Sequence, residues 1–197
     1  MSDYVLVLYY SRSGNCAALA EAIARGIQST GGVEARVRTV PPVAAQTERA
    51  LPAIPDEGPI YCDIDDVENC SGLILGSPTR FGNMAAPLKF FVEQLTPLWA
   101  SGSLIDKPCA VFTSSSSLHG GQESTLLSML LPLMHLGMLP VGIPYSNAEL
   151  TTTKTGGTPY GASNLASDTG GLLSKEEIAL AQALGKRVAL IARKLAA

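Results

Sequence analysis

The sequence has little charge. Asp, Glu, Lys and Arg make up 16 % of its 197 residues, and the formal net charge is −3. Nothing in that balance favours nucleic acid, which needs a basic surface. Long hydrophobic runs are also missing. Apolar residues reach 46 %, too many for a disordered chain, but they come in pieces too short to cross a bilayer. The N-terminus, MSDYVLVLYY, has no basic segment ahead of its apolar stretch, so no signal peptide and a cytoplasmic location are expected. Cysteine is sparse: Cys16, Cys62, Cys70 and Cys109 form no CxxC pair. Neither His119 nor His135 lies close enough in sequence to complete a metal set, so free thiols and no metal are expected. The length fits one domain, 1–197, with room for a substantial core.

What is present is a repeated pattern. Apolar runs at 5–10, 73–76 and 109–112 each lead into a polar turn. Continuous apolar runs of this length mark strands buried on both faces, as in a parallel sheet. Helical patterns follow at 17–28, at 87–95 with Pro87 in its first turn, and at 124–136. An alternating segment at 34–40 suits a strand nearer the sheet edge, and 139–143 a short strand. A long amphipathic helix over 175–195 opens with Ser174 as N-cap and Glu177 at its third position. This alternation implies a doubly wound α/β sandwich. Two long stretches, 41–65 and 146–174, exceed ordinary connections and are expected to be functional or packed on a partner.

In such a fold, ligands bind beyond the carboxyl ends of the strands. The first turn is Ser11-Arg12-Ser13-Gly14-Asn15-Cys16. It offers two hydroxyls, an amide and the backbone N–H groups of a helix start, an anion site whose only charged side chain, Arg12, is expected to face solvent. It is neither GxxxxGK[ST] nor GxGxxG, so a nucleoside triphosphate or a dinucleotide pyrophosphate is disfavoured. A single phosphate monoester suits it, and a capped turn without ligand is the plainer alternative. The second turn is Ser77-Pro78-Thr79-Arg80-Phe81-Gly82-Asn83. Pro78 stiffens its entry, Gly82 permits close backbone approach, Phe81 can flank a planar ring, and Asn83 is placed to cap a helix. The third turn runs from Thr113 through Ser114, Ser115, Ser116, Ser117, Leu118 and His119 to Gly120. Elsewhere a serine run would be a linker, but between a buried strand and a helix it is a donor-lined loop. One phosphate turn and two donor-rich loops around a planar ligand point to FMN.

"VLVLYYSRSGN" at 5–15, "GSPTRFGNM" at 76–84, "LWASGSL" at 98–104, "HGGQE" at 119–123, "HLGM" at 135–138 and "GGTPYGAS" at 156–163 carry a resemblance over nearly the whole chain. The sequence resembles the WrbA-type NAD(P)H:quinone oxidoreductases. The resemblance implies a flavodoxin-like three-layer α/β sandwich: a five-stranded parallel sheet in the order 2-1-3-4-5, with family-specific inserted loops. It also implies FMN-dependent two-electron reduction of quinones to hydroquinones, with NADH or NADPH as donor, a ping-pong hydride transfer through flavin N5, and a homotetramer. Carried over, residues Ser11 to Cys16 hold the phosphate. Thr79, Arg80 and Phe81, with Pro78, Gly82 and Asn83 beside them, line the isoalloxazine, as does the loop from Ser114 to Gly120. Trp99 walls the quinone pocket, and His135, the catalytic candidate, reaches the flavin of a neighbouring subunit; either His135 or His119 is placed to donate a proton to the reduced quinone oxygen. The chain departs from the family at Ser13, where an aromatic is common, in a third loop about one residue longer that places His119 at or near the pocket, and at Leu136, where a second histidine is often found.

Other classes fit less well. A one-electron flavodoxin carrier is typically far more acidic than −3. A serine hydrolase would need a GxSxG elbow, and a phosphoacceptor receiver would need carboxylates after the first strand. A non-enzymatic FMN-binding interaction protein is left open. Cys16, at a helix start, is expected to be masked by the phosphate and reactive only without FMN.

Overall fold

The computed structural model describes residues 3–43, 58–166 and 172–195. Four strands, β1 (Tyr4–Tyr9), β2 (Glu34–Thr39), β3 (Gly72–Pro78) and β4 (Pro108–Ser115), pair in parallel in the order β2-β1-β3-β4. The three continuous apolar runs are β1, β3 and β4, buried along nearly their whole length. Successive side chains of a strand point to opposite faces, so each run feeds two cores. Leu6, Leu8, Leu73, Leu75 and Val111 go to one face. There they meet α2 (Ile64–Glu68), α3 (Ala86–Glu93), α4 (Thr96–Ser101) and α5 (Gln122–His135) through Val67, Leu88, Leu98 and Leu126. Val5, Val7, Ile74 and Phe112 go to the other face, against Leu19 and Ile23 of α1 (Asn15–Gln28) and Leu180 and Leu184 of α7 (Lys175–Leu195). Each such side chain, fully buried, contributes about 1.5–3 kcal/mol of transfer free energy.

The alternating strand β2 lies outermost, as its half-polar pattern requires. Arg36 and Arg38 on its inner face reach Asp66 of α2 at 3.4 and 2.9 Å, and Arg36 lies 3.5 Å over the Tyr4 ring. These contacts fasten the edge strand to the helix that covers it. The short helix α2, with its Asp63/Asp66 capping box, falls where the sequence shows only a long connection, and five residues are too few for a readable period.

The fifth strand position is split. β5 is only Leu139–Pro140, pairing with Pro108 and Cys109. The strand expected over 139–143 stops early: Val141 N–H still bonds Cys109 O at 2.7 Å, but Ile143 N–H turns to the Pro159 carbonyl at 2.9 Å, against which Gly142 packs. The chain then leaves the sheet, forms α6 (Glu149–Thr152) and returns as β6 (Ala162–Leu165), which pairs with the far end of β4 from Phe112 to Ser115. The 2-1-3-4-5 order therefore holds, with β6 completing the fifth position. The stretch at 146–174, expected as a loop, is thus partly a strand. Most of the stretch at 41–65 lies outside the described residues.

Candidate active site

In this topology the switch-point crevice is expected where β2 and β3 lie on either side of β1, and the loops after β1, β3 and β4 all leave that carboxyl edge of the sheet. After β1, the Tyr10 N–H bonds the Gly76 carbonyl at 3.0 Å, and the turn passes through Gly14 at φ +87° into α1. α1 opens with no capping side chain and no acidic residue in its first turn. The hydroxyls are close by: Ser11 Oγ accepts a long 3.4 Å bond from Ala17 N–H, and Ser13 Oγ accepts one from Asn15 Nδ2 at 3.2 Å. Both hydroxyls therefore keep a proton to donate. Arg12 is exposed, as expected. Neutral donors at an uncapped helix start suit a phosphate monoester.

The second loop is a two-residue hairpin. Arg80 N–H bonds Asn83 O at 2.8 Å, Asn83 N–H bonds Arg80 O at 3.1 Å, and Phe81 and Gly82 take φ of +53° and +76°. A non-glycine residue in the left-handed region costs about 1 kcal/mol or more. The Phe81 ring gains nothing from the fold in return, since it is entirely exposed. Asn83 does not cap α3. That role falls to the Ala85 backbone, and Asn83 Oδ1 accepts from the Met84 N–H at 2.8 Å.

The third loop sits against the second. A Cβ on Gly121 (φ +97°) would press to 3.0 Å from Gly82 Cα and 3.3 Å from Thr79 Oγ1. Thr79 N–H bonds the Ser114 carbonyl at 2.9 Å, and the Thr79 and Thr125 hydroxyls lie 2.7 Å apart. Ser114 and Ser115 belong to β4 rather than to the loop, and their hydroxyls turn inward, to Asn164 Oδ1 and the Ser117 carbonyl. What the loop presents outward is 116–120, all exposed, with His119 among them.

The structure brings together the residues of the three turns but not all the expected ones. His135 ends the 14-residue helix whose start borders the third loop, so at 1.5 Å per residue it lies about 20 Å away. It lines a separate groove of ≈ 450 Å³ with Trp99, Lys89, Glu93 and Pro132. Trp99 is 61 % exposed. Within one chain, neither Trp99 nor His135 joins the crevice.

Cys16 corrects an expectation. Its side chain belongs to the buried core rather than the turn, and burial pushes the thiol up to about 12 despite the nearby Arg80 charge. The thiol is buried without any phosphate above it, so its shielding does not depend on one. Sequence reasoning also missed a polar layer beneath the loops: Gln122, Ser163, Asn164 and Glu177 are all buried and hydrogen-bonded. The signal was available in "HGGQE", "GGTPYGAS" and the Ser174–Glu177 spacing, but nothing in sequence joined the three.

The profile of the NADPH-dependent FMN reductases matches residues 4–152. Over 97 % of its length the chain is 42 % identical to a protein of Syntrophobacter fumaroxidans named NAD(P)H dehydrogenase (quinone), covering 98 % of that protein. A protein of Acidithiobacillus ferrooxidans with the same name is also 42 % identical, with the same coverage. This chain belongs to the NAD(P)H dehydrogenase (quinone) branch of the NADPH-dependent FMN reductase family. Among solved structures, a WrbA-like flavodoxin of Agrobacterium tumefaciens superposes with a TM-score of 0.69 at 24 % identity, covering 98 % of this chain and 99 % of the other. An archaeal flavodoxin superposes with a TM-score of 0.63 at 20 % identity, covering 96 % and 99 %. Both likenesses speak for the flavodoxin-like fold alone. For a member of the NADPH-dependent FMN reductases, the donor set fits the expected cofactor: neutral hydroxyls and a helix start for the phosphate, and two abutting loops for the ring edge. No described helix is long and apolar enough to cross a membrane.

Proposed function

We propose that the chain, as a single flavodoxin-like domain spanning 1–197, is an FMN-dependent enzyme that reduces quinones to hydroquinones with NADH or NADPH. The observation that carries this is the convergence of three loops at the switch point of the sheet: one ends at the uncapped start of α1, and the other two abut through Gly82 and Gly121. FMN, when bound, supplies hydride acceptance and delivery at its N5. The chain does the rest. Ser11, Ser13 and the N–H groups opening α1 hold the phosphate. Backbone N–H groups of Phe81, Gly82 and 116–119 face the ring edge, where negative charge builds on reduction. The Phe81 ring walls the substrate slot.

The slot is completed by other copies of the chain. An exposed apolar stripe, Leu127, Leu131 and Met134, runs along α5 beside the groove of Trp99 and His135. Covering this stripe in a homotetramer brings Trp99 and His135 of one copy to the flavin of the next, where Trp99 stacks on the bound quinone and His135 donates a proton to its oxygen. A cytoplasmic location accompanies this assignment. Steady-state kinetics of FMN-loaded protein test it: parallel double-reciprocal lines for NADH against benzoquinone are expected, and the absence of NADH-dependent quinone consumption would refute it.

A further inference from the structure

Glu177 is 2 % exposed, and all of its lone-pair capacity is used. Oε1 accepts from Gly156 N–H at 2.8 Å and Leu165 N–H at 3.0 Å; Oε2 accepts from Ser174 N–H at 2.8 Å and Asn164 Nδ2 at 3.0 Å. One carboxylate thus holds the start of α7, both sides of the excursion that splits the fifth strand, and a side chain of β6. The excursion closes tightly on it: a Cβ on Gly156 would collide with the Ser163 carbonyl.

From this carboxylate one chain of hydrogen bonds leads through Asn164 to the second loop, and a second, starting at Gly157 next to its Gly156 partner, leads to the third. Asn164 Oδ1 accepts from Ser114 Oγ at 3.1 Å, and the Ser114 carbonyl accepts from Thr79 N–H at 2.9 Å, at the entrance to the second loop. Beside it, Ser163 Oγ accepts from Gly157 N–H and donates to Gln122 Oε1, both at 2.7 Å. Gln122 Nε2 donates to Ser115 Oγ at 2.9 Å, and that hydroxyl donates to the Ser117 carbonyl at 2.8 Å, inside the third loop. Among the described residues no buried side-chain polar atom lacks a partner. In the phosphate turn the Ser11 and Ser13 hydroxyls bond Ala17 N–H and Asn15 Nδ2, while its last residue, Cys16, meets the Ser114 backbone beneath the turn.

We propose that Glu177 is a positioning residue for the flavin ring: through Asn164, and through the Gly156–Gly157 turn that Ser163 ties to Gln122, it fixes the two ring loops without bonding the Ser11 and Ser13 hydroxyls. This rests on the flavin site proposed above. A carboxylate is required because three backbone N–H groups and an amide N–H converge on it, and a glutamine would set its own N–H₂ against at least one of them.

Two variants test this, Glu177→Gln and Asn164→Ala. The second removes the Asn164 bonds to Ser114, Glu177 and the Leu165 carbonyl and leaves Glu177 its three backbone partners, so it decides the matter if the first does not fold. In the apoprotein, amide hydrogen exchange is expected to speed up about tenfold or more at Thr79 in both variants and at Gly120 in Glu177→Gln, while Ala18 in α1 keeps wild-type protection. In titrations followed by flavin fluorescence, Kd for FMN and for riboflavin is expected to rise by the same factor, about tenfold, so their ratio stays that of wild type. Loop protection and riboflavin affinity within about twofold of wild type in both variants would overturn the proposal, as would a loss confined to FMN. Wild-type protein that binds no flavin would count against the proposed function, while the exchange arm would still decide the role of Glu177.

Discussion

Replacing Ser11 by alanine separates the phosphate from the ring. Without ligand, Ser11 Oγ accepts only a 3.4 Å bond from Ala17 N–H. Its loss should cost no more than about 0.5 kcal/mol, a typical surface effect, lowering Tm by about 1–2 °C in a domain of this size. With FMN bound, the same hydroxyl donates to a doubly charged phosphate. A hydrogen bond to a charged group contributes about 1.5–3 kcal/mol, which converts to an FMN affinity about 10- to 150-fold weaker. Riboflavin has no phosphate, so its affinity should be unchanged. The assay is titration of apoprotein with each flavin, read by fluorescence quenching, with a melting curve as control. Equal losses for both flavins would refute the assignment, because the turn would then be acting on the ring. An unchanged FMN affinity would refute it as well, by placing the phosphate elsewhere.

Three further outcomes are expected. His135→Ala should lower quinone turnover about 10²-fold while leaving FMN affinity within about threefold, since in its own chain His135 lies far from the crevice; unchanged turnover would remove its catalytic role. Leu131→Glu adds a charge to the exposed α5 stripe, so light scattering should show smaller assemblies while the melting temperature of the isolated fold falls little; a full-sized assembly of unaltered activity would rule the stripe out as an interface. Cys16, with its thiol raised from 9.0 to about 12 by burial, and Cys109, raised likewise, should resist iodoacetamide at pH 8 with or without FMN, and rapid labelling of the apoprotein would contradict their burial. Because the folded state favours the protonated thiols, their contribution to stability is complete below about pH 9, the unfolded value, and is lost as pH rises toward about 12. Urea midpoints should therefore fall above pH 9.

Much of the fold was legible because its signals are local. A run such as "VLVLYY" is apolar at every position since it feeds both cores, and that alone distinguishes a central strand of a parallel sheet from an edge strand such as "EARVRT". The phosphate turn was legible for the same reason, as its donors are consecutive. What was not legible depends on contacts across the chain. β6 reads as part of a Gly/Thr/Ser loop because Ser163 and Asn164 are buried as hydrogen-bonded polar residues, the opposite of the usual strand signal. Cys16 reads as a turn residue by its position and proves to be core, because the helix starts two residues earlier than expected, at Asn15. Ser114 and Ser115 read as loop donors, yet the sheet continues through them and turns their hydroxyls inward.

The central claim is that the crevice holds a flavin that takes two electrons from a nicotinamide and gives both to a quinone. Anaerobic stopped-flow absorbance on FMN-loaded protein tests it most directly. The account predicts that one equivalent of NADH or NADPH bleaches the flavin completely, and that one equivalent of benzoquinone then restores it, with no long-lived one-electron form in either direction. A flavin that stays oxidised under NADH and NADPH, and that dithionite converts to a persistent one-electron form, would contradict it and identify a carrier instead.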